Sequence, residues 1–331
     1  MKPSLHPALL SYLRSLQGST SVGLHGISRT SVGRSSRTLY RWHRSLGDQL
    51  LIVPNVGVEG LGLQHAHVFI EHANEGAVRF PFAVEAAMVT PDFCREVLYL
   101  HCLVPSGLVA GFARLVQELG TVRVTWSSSG WQQFAHGDEE FLLPMKEPVR
   151  SSELLRRYPF IVPAMAELWA YPNSLPLAWY RIYQRLGENV RRYLPGTTIR
   201  HVNGKTHLTD AFGVLRRELL LRQQIIRYHP LLAVSVEVFL LVRMERDDAR
   251  KFLGCLREVL HAVETYPMED GYWCRVLGPH RLLDAIINLP PDVRECLGSV
   301  YFHTKRHPTP RVGFDYERLF DPKKGRWRLT R

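Results

Sequence analysis

Two stretches of this chain carry the same alternation of strands and helices, and that repeat constrains the fold more than any other feature. In the first, LGLQHAHVFIEHA (Leu61–Ala73) alternates apolar and polar residues at the two-residue period of a strand. Residues 78–92 are ambiguous and fit a short helix between loops. Arg95–Pro105 alternates again, with Val97, Tyr99, His101 and Leu103 on one face. A helix follows, striped by Leu108, Phe112, Leu115, Val116 and Leu119, and Thr121–Trp126 returns as a strand. In the second stretch Leu231–Met244 predicts a strand and Asp247–Tyr266 a helix, with Phe252, Leu256, Val259, Leu260 and Val263 inward. Gly271–Gly278 predicts a strand, and residues 281–306 mirror the end of the first stretch as strand, proline, helix, strand. Pro290 then takes the place of Pro105 at the strand-to-helix joint. The pattern predicts two ferredoxin-like αβ sandwiches. A chain of 331 residues is too long for one ordinary core, which agrees with that doubling.

Each sandwich is preceded by a helical, basic segment. Pro7 opens a helix that carries Leu9, Leu10, Leu13 and Leu16 at helical spacing. A second short helix fits Ser21–Thr30, weakened by Gly23 and Gly26. Ser35 or Ser36 then caps a third, SRTLYRWHRSL, with Leu39, Trp42 or His43, and Leu46 inward. LLIVPNVGV reads as a β-ribbon turning at Pro54-Asn55. Three short helices and a ribbon is the order of a winged helix-turn-helix, whose third helix enters the DNA major groove. Arg37, Thr38, Tyr40, Arg41 and Arg44 are the candidate contacts on that helix, with Arg29 and Arg34 on phosphates. Arginine suits both tasks because its planar fork pairs bidentately with phosphate and with the guanine edge. In the second helical segment Val202–Pro230 reads as a helix capped by Thr209 or Asp210, and Lys205, Arg216, Arg217 and Arg222 are the candidates.

Charge follows the same division. Residues 1–48 hold seven basic side chains and one acid, whereas residues 49–150 hold six and eleven. Residues 151–230 hold twelve and five, and the remainder seventeen and fourteen. A surplus serving solubility alone would spread evenly, so two segments meet a polyanion and two do other work. The basic tail, residues 305–331, fits either a flexible arm adding phosphate affinity or a solvated end.

Other chemistries find little support. No apolar run reaches the roughly 20 residues that a membrane-spanning helix needs, and no signal peptide is evident, which puts the chain in the cytoplasm without a membrane partner. Five scattered cysteines without a C-x-x-C pair fit a reducing compartment and offer no metal spacing. His65 and His67 share a strand face but lack a third ligand, and with His101 they read as packing groups. Neither a phosphate loop nor a nucleophile elbow is present. The sequence therefore points to no catalytic residue, no metal and no cofactor.

The run SRTLYRWHRSLGDQLLIVPNVGVEGLGLQHAHVFIE resembles the junction between helix-turn-helix and sandwich in the leucine-responsive/AsnC (Lrp/AsnC) family of prokaryotic transcription regulators. Ser36–Arg41 stand where that family places its recognition helix, and Gly60-Leu61-Gly62 precede the first sandwich strand. The first sandwich departs from the family in lacking a long first helix. The resemblance implies a DNA-binding transcription regulator of α+β class, with winged helix-turn-helix segments alternating with two ferredoxin-like (ACT/RAM-like) sandwiches. It divides the chain into a reader (1–54), a first sandwich with linker (55–150), a degenerate second reader (151–230) and a second sandwich with basic tail (231–331). Double-stranded DNA is the implied partner, with a small-molecule effector and a homodimer as further implications. One chain could itself act as a covalent pseudo-dimer. RNA binding or scaffolding is the alternative, and an enzyme resembling siroheme decarboxylases the weaker one.

Overall fold

The computed structural model describes residues 8, 11–13, 34–46, 50–55, 58–71, 80–91, 95–134, 140–146, 162, 223–228, 236–303, 315–321 and 323–329. Over these residues the chain is mixed α and β, with antiparallel sheets and few helices. Helix α1 spans Ser36–Leu46 and strand β1 Leu50–Asn55. A 3-10 turn at Val58–Leu61 leads into β2 (Leu63–Glu71), β3 (Ala83–Val89), β4 (Val97–Pro105), α2 (Val109–Gln117) and β5 (Val122–Ser127). These strands form one sheet in the order β3-β4-β2-β5, antiparallel throughout.

Next come β6 (Trp131–Phe134), β7 (Gln223–Tyr228), β8 (Val236–Val242), α3 (Arg246–Cys255), β9 (Ala262–Met268) and β10 (Gly271–Gly278). They are followed by α4 (Arg281–Ile287), α5 (Pro291–Glu295) and β11 (Leu297–His303). The second sheet runs β11-β8-β10-β9-β6. Without β6, the two sheets share one order: fourth strand, first, third, second.

Several elements differ from their sequence reading. Residues 83–89 are a strand, which completes the four-strand unit. The helix expected to Tyr266 stops at Cys255, and Ala262–Met268 is a strand. Residues 281–287, expected as a strand, are a helix that buries Leu282 and Ile286; a short apolar run does not distinguish the two periods. The counterpart of Pro105 is therefore Pro279, directly after β10, and Pro290 instead caps α5. Gln223–Tyr228, read as the end of a helix, is a strand.

The expected ribbon turn at Pro54-Asn55 does not form. Both residues continue β1, which pairs antiparallel with β7, from Leu50 opposite Tyr228 to Asn55 opposite Gln223. Both strands of a two-stranded sheet are edges, which is where a proline in a strand is tolerated. β1 starts thirteen residues before β2, and β7 starts thirteen before β8. Each unit thus offers the same strand to the other, the relation that a two-fold axis imposes.

The sheets themselves meet face to face. β2 and β4 are buried along almost their whole length, because α2 and the C-terminal segment cover one face and the other sheet covers the second. Phe69, Ala87, Val89, Val97 and Tyr99 of the first unit pack on Phe239, Leu241, Tyr266, Trp273 and Tyr301 of the second. The Phe69 and Tyr301 rings stack at 4.0 Å, and Tyr99 and Phe239 lie at 4.6 Å. The edges also meet. Thr90 and Phe302 exchange backbone N–H···O bonds of 2.8 Å between the ends of β3 and β11. On the opposite side the Ser127 hydroxyl lies 2.7 Å from the Pro267 carbonyl, joining β5 to β9.

The chain crosses between sheets through residues 128–130. β5 pairs with β2 in the first sheet, and β6 pairs with β9 in the second. The Tyr266 ring fills the bend, and a Cβ on Gly130 would lie 2.4 Å from its Cε1. Gly130→Ala is expected to destabilise the protein by about 1–3 kcal/mol through this overpacking. Urea unfolding checks it, and Tyr266→Leu in the same chain should recover part of the loss.

Each unit also lends an arm to the other. Phe141 and Leu143, which follow the first unit, lie in the second core with Val238, Phe252 and Leu260. The segment after the second unit, with α6 (Tyr316–Leu319), β12 (Phe320–Asp321) and β13 (Arg326–Trp327), lies on the first core. There Leu319 and Phe320 are buried, and Trp327 donates its indole N–H to the Leu61 carbonyl at 3.3 Å. Lys323, Lys324, Arg326 and Arg328 remain exposed. Among the described residues the first unit has one α-helix on its outer face where the second has three. Its apolar surface is covered by the tail, whose described part is folded rather than a solvated end.

Candidate nucleic-acid interface

Helix α1 starts at a serine cap. The Ser35 carbonyl accepts from the backbone N–H groups of Thr38 and Leu39, and Ser35 Oγ accepts from Thr38 N–H at 3.2 Å. The Thr38 hydroxyl lies 3.0 Å from Ser35 Oγ, so this candidate contact is engaged within the cap. Leu39 is fully buried, and Trp42 is half-buried with its ring 5.9 Å from Tyr12 in an edge-on contact. Tyr12 and Leu13 are themselves buried and helical. One side of α1 is therefore fixed against the N-terminal helix.

The opposite side carries the charge. Arg37, Arg41 and Arg44 recur at four and three residues, with Arg34 one turn earlier, and all four are exposed. At 100° per residue Arg37, Arg41 and Arg44 form one stripe facing away from Leu39 and Trp42, and Arg34 lies just before the cap. α1 has no acidic residue, and among the described residues none of these arginines makes an ion pair. A run of like charges three and four residues apart destabilises an isolated helix by a few tenths of a kcal/mol per pair, and a polyanion removes that penalty. Arg29, Lys205, Arg216, Arg217 and Arg222, and the side chain of Tyr40, lie outside the described residues.

A second polar cluster is of a different kind, because the two sheets seal it. Arg275 on β10 reaches Glu237 at 2.9 Å, Glu85 at 3.1 Å and Glu264 at 3.8 Å. His303 Nδ1 lies 2.9 Å from Glu237, and His65 Nδ1 lies 2.8 Å from His101 Nε2. His101 is 3.9 Å from Glu85, while His67 Nδ1 meets the Tyr99 hydroxyl at 2.9 Å. Burial alone would lower the Arg275 pKa, but Glu237, Glu264 and Glu85 hold it well above its ordinary value. Sequence reasoning singled out the three strand histidines but not Glu85, Glu264, Arg275 or His303. The available signal was charge at inward positions of strands otherwise apolar, such as Glu237 in VSVEVFLLV. Glu85 belongs to the first unit and Arg275 to the second, so this ion pair joins them.

No family model, no curated protein and no solved structure matches this chain. The arginine stripe therefore stands on its own geometry. It is an acid-free cationic helix face, packed on its other side through Leu39 and Trp42.

Proposed function

We propose that this chain is a DNA-binding transcription regulator rather than an enzyme, acting in the cytoplasm and reading duplex DNA through α1. The observation that carries the reading is the exposed stripe of Arg37, Arg41 and Arg44 opposite the packed Leu39 and Trp42, with Arg34 exposed just before the helix. A helix anchored on one side and cationic on the other suits insertion into a major groove. The shared strand order, with the fourth strand beside the first and the first beside the third, supports two ferredoxin-like units. The pairing of β1 with β7 and the face-to-face sheets support one chain acting as its own dimer. Among the described residues no helix is long and apolar enough to cross a membrane.

A titration of the full chain on duplex DNA and on single-stranded RNA at two salt concentrations tests the proposal. Duplex binding should weaken steeply with salt, each phosphate contact adding about 0.9 to the logarithmic slope. Arg37→Ala with Arg41→Ala should lower affinity for a preferred duplex roughly 100-fold, taking about 1–3 kcal/mol per base-reading arginine. Both side chains are exposed, so the circular dichroism spectrum should not change. Salt-sensitive binding of RNA alone would move the assignment to RNA. Duplex affinity unaffected by the double substitution would remove α1 as the reader.

A further inference from the structure

We infer that the hairpin of β12 and β13 is a second, sequence-independent contact that grips the phosphate backbone of the duplex read by α1. This rests on the proposed DNA-reading role of α1. The hairpin pairs Phe320 with Trp327 and Asp321 with Arg326. Residues 322–331 read PKKGRWRLTR, with five basic side chains and no acid. Along the second strand Trp327 and Leu329 are half-buried while Arg326 and Arg328 are exposed, the two-residue alternation of a strand with one covered face. The apolar set holds the hairpin to the first unit. Phe320 is buried in that core with its ring 4.8 Å from Trp327, and Trp327 donates to the Leu61 carbonyl. A Cβ on Gly111 of α2 would lie 3.1 Å from Leu329 Cδ2.

The tip is an ordered turn. The Asp321 carboxylate accepts the backbone N–H of Lys323 at 3.1 Å and of Lys324 at 3.2 Å, so its charge is committed to the turn. Gly325 closes the turn at φ 57°, a conformation open to glycine. Covering a core needs only the apolar half of this hairpin, and any polar residue would serve at the exposed positions. Those positions are Lys323, Lys324, Arg326 and Arg328, all cationic. A segment drawn to the first unit by charge would pair with its acids, since residues 49–150 hold eleven against six basic side chains. Among the described residues none of the four cations makes an ion pair. Cations gathered on one ordered edge without acidic partners fit a polyanion, and neutralising phosphate needs charge rather than a fork. The anchor point ties this edge to the reader. Leu61 ends the 3-10 turn between β1 and β2, and α1 precedes β1 in the chain. A six-residue strand such as β1 is about 20 Å long, short of the roughly 34 Å of one duplex turn, so one bound site can reach both contacts.

Titration of the full chain across salt tests the inference, on a duplex selected from a randomised library and on a scrambled duplex of equal length. Lys323→Ala with Lys324→Ala should lower the logarithmic salt slope by about 1.8, at about 0.9 per phosphate contact, and weaken binding by up to roughly 60-fold at about 0.1 M salt. The loss should be equal on both duplexes, because phosphate carries no sequence information. Arg246→Ala with Arg281→Ala removes the same charge from exposed positions on α3 and α4. That control should change the slope by less than about 0.5. Both lysines are exposed, so the circular dichroism spectrum and the urea midpoint should not move. An unchanged slope in the lysine variant, or an equal fall in the arginine control, would overturn the inference while leaving duplex reading by α1 in place. A loss confined to the selected duplex would also overturn it, by making the hairpin a reader of bases. Absence of duplex binding by the native chain at any salt would overturn the DNA reading itself, and the inference with it.

Discussion

Arg275→Met is expected to destabilise the protein by about 3–5 kcal/mol, the range for removing one partner of a buried ion network. The guanidinium is 2 % exposed and neutralises Glu85, Glu237 and Glu264, each within 4.0 Å. Methionine fills similar volume, so packing is largely kept and the uncompensated carboxylates carry the loss. Glu85 and Arg275 belong to different units, so the substitution should weaken their union more than either core. Urea unfolding followed by tryptophan fluorescence reads the change, since Trp273 lies in the same interface. A loss below about 1 kcal/mol, the worth of an exposed pair, would mean that water reaches the network. Replacing Arg275 and all three glutamates together with apolar residues should be far milder than the single change, because no charge is then left buried without a partner.

Acid should loosen the same interface. His65 and His67 are held well below the ordinary imidazole pKa, mainly by burial and then by the charge of His101, with His65 adding to the effect on His67. Glu85 opposes the shift for both, and Arg275 reinforces it for His67. The remaining neighbours are the rings of Tyr99, Tyr266 and Trp273. In the unfolded chain both imidazoles take up protons near pH 6.5, whereas the folded chain resists doing so. The unfolded state then binds more protons, so their contribution is fully present above about pH 6.5 and is lost as pH falls below it. Each histidine should remove about 1.4 kcal/mol per pH unit until its folded-state pKa is reached. Urea midpoints between pH 8 and pH 5 measure the slope. His65→Phe with His67→Phe should flatten it by about 2.7 kcal/mol per pH unit, the two contributions together. An unchanged slope in that variant would assign the acid sensitivity to other groups.

Local signals were legible in the sequence. Period-two alternation located β2, β4, β5, β8 and β10, and the Leu, Phe and Val stripe located α2. Serine 35 and the inward Leu39 and Trp42 were likewise readable, because a cap and a helix face depend on residues within two turns. The arginine stripe follows from the same spacing. What failed was period in short apolar runs, as at residues 281–287, and the ribbon at Pro54-Asn55, where the turn signal was local but the pairing partner was not.

The sequence by itself determined that this is an α+β chain with a doubled strand-helix order and a basic helix near its start. Those properties are set by neighbours a few residues apart. Only the tertiary structure decided that β1 finds β7, that the tail covers the first core, and that Glu85 meets Arg275 across two sheets. These contacts join positions more than a hundred residues apart, where no periodicity links one partner to the other. They are selected by which apolar faces remain uncovered and which buried charges still lack compensation once the local elements have formed.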